Sequence, residues 1–134
     1  WAEKKIGRKR AHVTYAFKSL LDSGAVLACG SDWAVASLDP VKGIYAAVTR
    51  QTLDGKNPGG WFPEQKISLE EAIKGYTING AFTEFAEDIK GSVEEGKLAD
   101  LVVLSQNLFE IPFERIVETE VKKTIFNGKI IYEK

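Results

Sequence analysis

The sequence predicts an α/β chain whose helices surround one apolar strand, followed by a small, mostly antiparallel β segment. Three observations carry that prediction. Ala25-Val26-Leu27-Ala28-Cys29 is apolar at every position and lies between Gly24 and Gly30, the pattern of a strand buried on both faces. Two later helices begin at recognisable caps, Asp39-Pro40 and Ser68 with Glu71. Near the end, Asn127-Gly128 joins two β-rich runs, the strongest short-range hairpin signal.

The elements follow in order. Residues 1–9 are charged and aperiodic and suit an arm or a severed connection. From Arg10 to Ser23, Val13, Phe17, Leu20 and Leu21 recur at helical spacing, and Gly24 suits the left-handed position that ends such a helix. Asp39 caps the next helix and Pro40 occupies its first turn, where the missing N–H costs nothing. Val41, Ile44, Tyr45 and Val48 form its apolar stripe, which fades by Gln51-Thr52. Leu53 to Lys66 is a long loop rich in Gly and Pro, with Trp61-Phe62 inside it. Ser68 and Glu71 form a capping box for a helix carrying Leu69, Ala72, Ile73 and Tyr76; Asn79-Gly80 interrupts it, and a shorter helical piece reaches about Glu84. Residues 89–100 are turn-rich. Leu101–Leu104, Val121–Phe126 and Lys129–Tyr132 then read as strands, with a helical turn around Pro112–Ile116.

Composition narrows the function classes. Eighteen Lys+Arg against nineteen Asp+Glu leave a net charge of -1, so no basic excess points to nucleic acid or to an anionic membrane surface. The apolar runs are too short for a membrane span. A single cysteine excludes an internal disulfide and suits a reducing, cytoplasmic setting. The chain has no Met and opens on Trp1, which predicts a piece of a longer reading frame. Its one His cannot supply a cluster of imidazoles.

Few residues suggest chemistry. Gly30-Ser31-Asp32 follows the C-terminal end of the apolar run, where α/β folds place their active sites. A carboxylate there can ligate a metal or act as a general base; it can equally cap a turn. His12 reads as a surface or partly packed side chain, and Cys29 as a small buried thiol. Arg50 ends a helix, where the dipole accounts for it, with anion binding the lesser alternative. Trp61-Phe62 can line a pocket or plug the loop.

Longer strings are more specific. The run Leu20 to Val35, the run Asp39 to Arg50, the run Leu69 to Ala81, Gly91 to Leu104 and Thr124 to Tyr132 resemble, in this order, the C-terminal part of metal-dependent amidohydrolases. The resemblance is to amidohydrolase family 3, which includes N-substituted formamide deformylase-like enzymes and proteins named exoenzyme regulatory protein. It implies an α/β fragment: the last β/α unit or units of a (β/α)8 TIM-like barrel over residues 1–88, then a β-sandwich segment with a terminal hairpin over 89–134. It implies a parent that hydrolyses carbon–nitrogen bonds other than peptide bonds in small amide-type molecules, with one or two divalent metals, typically Zn. Asp32 matches the acid after the eighth barrel strand. Its implied role is metal contact, with proton transfer from the attacking water to the leaving nitrogen.

This sequence departs from the family pattern in lacking the His-x-His pair and the other histidine ligands. One carboxylate does not make a catalytic metal site, which takes about three protein ligands. The isolated chain is therefore expected to bind no metal and to be inactive. A barrel strand without its neighbours leaves free edges, so self-association, or repacking of the N-terminal region, is also expected. The alternative reading is a non-catalytic regulatory or interaction module that keeps the same C-terminal fold.

Overall fold

The computed structural model of the protein describes residues 2–134. Short helices come first: α1 (Ala2–Ile6), α2 (Arg8–Ala11) and α3 (Phe17–Asp22). Within the expected arm, residues 2–6 and 8–9 are thus helical rather than irregular, and they are docked. Glu3 accepts from Trp61 Nε1 at 2.9 Å and from Arg8 Nη1 at 3.2 Å, while the Arg8 guanidinium lies 5.1 Å from the centre of the Phe62 ring. Aromatic partners 58 and 54 residues away gave no local signal for this. The single helix expected from Arg10 to Ser23 is broken: Tyr15 takes a positive φ of 53°, leaving Val13 exposed, and only Phe17 and Leu21 reach the core.

The end of α3 is as expected. Gly24 has φ +86°, its N–H donates to Leu21 O, and the Ala25 N–H donates to Leu20 O. This paired pattern satisfies the last carbonyls and requires a left-handed residue at position 24.

Residues 25–29 are extended, but they form no strand, contrary to expectation. No described strand lies alongside to complete a ladder, and the segment rests on a helix instead. The Cys29 N–H donates to Gly75 O at 2.9 Å, and Asn79 Nδ2 donates to Leu27 O at 3.0 Å. Leu27 packs against the core from one side of the segment, while Val26 and Ala28 stay exposed.

Helix α4 (Pro40–Thr49) begins where the caps place it, with Asp39 Oδ1 accepting from the Val41 N–H at 3.0 Å. Its stripe of Val41, Ile44, Tyr45 and Val48 is buried. Helix α5 (Leu69–Tyr76) has the full capping box: Ser68 Oγ accepts from the Glu71 N–H, and Glu71 Oε2 accepts from the Ser68 N–H at 2.7 Å. Ser68→Ala removes one half of that exchange and is expected to cost about 1 kcal/mol, read as a lower urea midpoint at unchanged slope. The break after α5 falls at Thr77, earlier than Asn79-Gly80, which lie inside α6 (Ile78–Thr83).

The C-terminal part is an antiparallel sheet of β1 (Leu101–Leu104), β2 (Val121–Phe126) and β3 (Lys129–Glu133), in that order. Asn127 and Gly128, at φ 47° and 75°, make the two-residue turn, and the Asn127 N–H donates to Asp100 Oδ1 at 2.7 Å. A 3-10 turn over Phe113–Glu118 carries Ile116 into the core. That core is one cluster: Val41, Ile44 and Val48 of α4, Leu69 and Ala72 of α5, and Leu108 and Ile116 from the C-terminal part.

At the end of the sheet, Glu120 accepts from Lys134 Nζ at 2.7 Å and from Lys122 Nζ at 2.9 Å. These bonds, with Lys134 the larger influence, hold its carboxyl at about 2, below the ordinary 4.5. A depressed carboxylate stabilises the fold above its unfolded value and loses that contribution as pH falls through about 2. The side chain is exposed, so the contribution is small and screened by salt. A carboxyl-carbon NMR titration is expected to show Glu120 titrating last among the glutamates, and moving up in Lys134→Gln.

Candidate active site

The site is built where the extended segment ends. Gly30 and Ser31 continue it, and Asp32 enters a turn with φ 49°, closed by the Val35 N–H donating to Asp32 O at 2.6 Å. Asp32 is exposed. Its carboxylate makes no hydrogen bond or ion pair within the described residues, so both oxygens are free for a partner. The acid therefore follows the end of the apolar extended segment, as the sequence places it, on a turn and not on a strand.

A concavity of about 1410 Å³ opens beside that turn. Gly30 and Ser31 form one end, α4 forms a wall through Gly43, Ala46 and Ala47, and Tyr15, Arg50 and Trp61 form the other end. Tyr76 also lines it. Its hydroxyl lies so close to Gly43 that a Cβ there would sit 1.9 Å from the oxygen, which is why a small residue stands at 43. Burial raises the Tyr76 phenol, with Cys29 adding to the effect, so it is a neutral hydroxyl in this wall.

Of the other residues singled out, Arg50 and Trp61 line the concavity, and His12, Cys29 and Phe62 do not. His12 is exposed, with Nε2 3.4 Å from Glu64 Oε1 and an edge-on contact to Phe62, so it is the surface histidine expected. Cys29 is half-buried, less enclosed than expected. Burial pushes its thiol up, which keeps it protonated and unsuited to attack. Phe62 is buried and plugs the loop, whereas Trp61 is half-buried and lines the concavity, so the two neighbours divide the two roles.

Arg50 differs most from its sequence reading. It caps α4 in a left-handed conformation, yet its side chain is 9% exposed rather than sitting at a free helix end. Its Nε donates to Trp61 O at 3.0 Å and its Nη1 to Tyr15 O at 2.9 Å. The guanidinium also lies over the Phe17 and Trp61 rings at 5.6 and 5.2 Å. Burial lowers its pKa, with the Glu64 charge opposing. It thus fastens the long loop and the segment before α3 to the end of α4. Sequence reasoning missed this because the partners lie 11 and 35 residues away, and the residues beside Arg50, Ala46 to Leu53, include no aromatic to hint at them.

Among the described residues, no group of three or more His, Cys, Asp or Glu is placed to hold a metal ion, and no helix is long and apolar enough to cross a membrane.

Comparison with known proteins places the chain. It is 35% identical over its whole length to the putative amidohydrolase YtcJ of Bacillus subtilis, covering 25% of that protein. It is 29% identical to the N-substituted formamide deformylase of Arthrobacter pascens over 96% of the chain and 23% of that protein. The chain thus spans about a quarter of the length of these curated relatives. Its fold matches part of the crystal structure of an amidohydrolase from Thermotoga maritima, with a TM-score of 0.67 and 23% identity over 90% of this chain and 26% of that one. Residues 1–132 match the Amidohydrolase family, and the chain belongs to that family.

Proposed function

We propose that this chain is the C-terminal portion of a metal-dependent hydrolase of carbon–nitrogen bonds other than peptide bonds, with Asp32 as its acid at the reacting centre. One observation carries the reading: a carboxylate with both oxygens free follows an apolar extended segment that has a helix on one side and an exposed face on the other. That is the setting of the acid after the last strand of a barrel. In this reading residues 1–88 close the (β/α)8 barrel, the exposed Val26 and Ala28 point to its interior, and residues 89–134 belong to a β-sandwich. The name of the formamide deformylase supports an amide-type small molecule as substrate.

The donor set of this stretch alone does not fit a catalytic metal, since one carboxylate falls short of about three protein ligands. No step within these residues is therefore routed through one. In the whole protein, Asp32 would join ligands from outside the 134 residues, and a divalent cation such as Zn would supply Lewis acidity. The work of Asp32 itself is proton transfer: an Oδ takes a proton from the attacking water and delivers it to the leaving nitrogen.

The isolated chain is accordingly expected to be inactive. Incubated with an N-substituted formamide and added Zn, it should release no amine above the protein-free blank. Zn-dependent release that scales with chain concentration would overturn the reading.

A further inference from the structure

We propose that Arg50 is the recognition point for the carboxylate of a small-molecule ligand whose apolar body lies against the rings of Tyr15, Phe17 and Trp61. The inference deepens the hydrolase reading by naming the substrate or product class, acids with a flat apolar body. It is carried by an imbalance at Arg50. Its Nη2 is buried and has no acceptor among the described residues. The two backbone carbonyls it does meet satisfy Nε and Nη1, but they carry no net charge to balance the cation. Glu64, whose charge Arg50 feels, lies within ion-pair reach of His12 instead. Of the three lysines on the same concavity, Lys42 and Lys56 are paired with Asp39 and Asp54 at 3.7 and 2.7 Å, and Lys4 is exposed, so its charge is met by water.

A buried, hydrogen-bonded cation whose Nη2 amino group has no acceptor calls for an anion of matching geometry. The planar guanidinium fork suits a carboxylate better than a halide or a neutral amide. The rings beside it suit a flat apolar group attached to that carboxylate. The concavity continues from Arg50 to Ser31, next to the turn that bears Asp32. A ligand anchored at Arg50 therefore shares the concavity with Ser31, the residue before Asp32. Nη2 is covered, so a carboxylate reaches it only if the side chains packed round the guanidinium, Phe17 and Trp61 among them, give way.

The test uses benzoate and its neutral counterpart benzyl alcohol, titrated calorimetrically into the full-length protein and its variants. Benzoate is expected to bind at least about tenfold more tightly than benzyl alcohol to the wild type, the size of one charge-assisted bond. Arg50→Met should bring the two probes to equal affinity, and Arg50→Lys, which keeps the charge and loses the fork, should fall between. Absence of a benzoate preference in the wild type overturns the proposal, and so does a preference that survives in Arg50→Met. If Arg50→Met does not fold by circular dichroism, Arg50→Lys decides, an undiminished preference counting against the proposal. Asp32→Asn is expected to keep the wild-type preference, so failure of the hydrolytic role and failure of this site give different results.

Discussion

On the proposed function, full-length protein carrying Asp32→Asn is expected to lose about 10²–10⁴-fold in hydrolysis of a carbon–nitrogen substrate, the range for removing a positioned general base. The fold should survive, because Asp32 is exposed and its side chain holds no partner within the described residues. Asn is the informative replacement. It keeps the size of the side chain and tolerates the positive φ of 49° at this turn, whereas Ala would add backbone strain to the loss of charge. Steady-state turnover and a melting curve, taken on the same preparation, separate the two effects. Unchanged turnover removes Asp32 from the chemistry, and a collapsed melting curve would assign it to the turn.

The second large effect concerns stability. Ile116 is fully buried, and it stands on the 3-10 turn that packs against α4. Truncation to Ala leaves a cavity in the cluster shared by Val48, Leu69, Ala72 and Leu108, and should cost about 2–5 kcal/mol. The cluster joins the helices to the β segment, so a urea transition followed by Trp fluorescence and one followed by far-ultraviolet dichroism should shift to lower denaturant together. A shift in the β signal alone would show that the helices and the sheet unfold as separate units. Ile116→Val is expected to lose about 0.5–1.5 kcal/mol on the same assay, which grades the effect by volume.

What the sequence discloses follows the range of the interactions involved. The caps at Asp39 and Ser68, the stop at Gly24 and the turn at Asn127-Gly128 each depend on residues within a few positions, and all four form as expected. The strand expected at Ala25–Cys29 depends on neighbours that no described residue supplies, so its apolar run lies extended on α5. The helix expected over Arg10–Ser23 yields at Tyr15, whose carbonyl accepts from Arg50. Arg50 was the least legible residue, because its burial depends on Tyr15 and Trp61 arriving from two other parts of the chain. Asp32 is singled out by its place after an apolar run, and its role at a reacting centre is the proposal that the Asp32→Asn variant tests.

Position 75 sets a limit on how this architecture can vary. A Cβ there would stand 2.8 Å from Cys29 Sγ and 3.3 Å from Leu27 O, so the extended segment is seated directly on the backbone of α5. The acid's turn is thereby coupled to the register of that helix. Lengthening the loop over residues 53–66 can be absorbed at its exposed bends, leaving the acid where it stands. Inserting or deleting a residue within α5 rotates the seat by about 100° and carries the acid with it. Length changes should therefore accumulate in the loop and be purged from the helix, even though neither touches the reacting atoms.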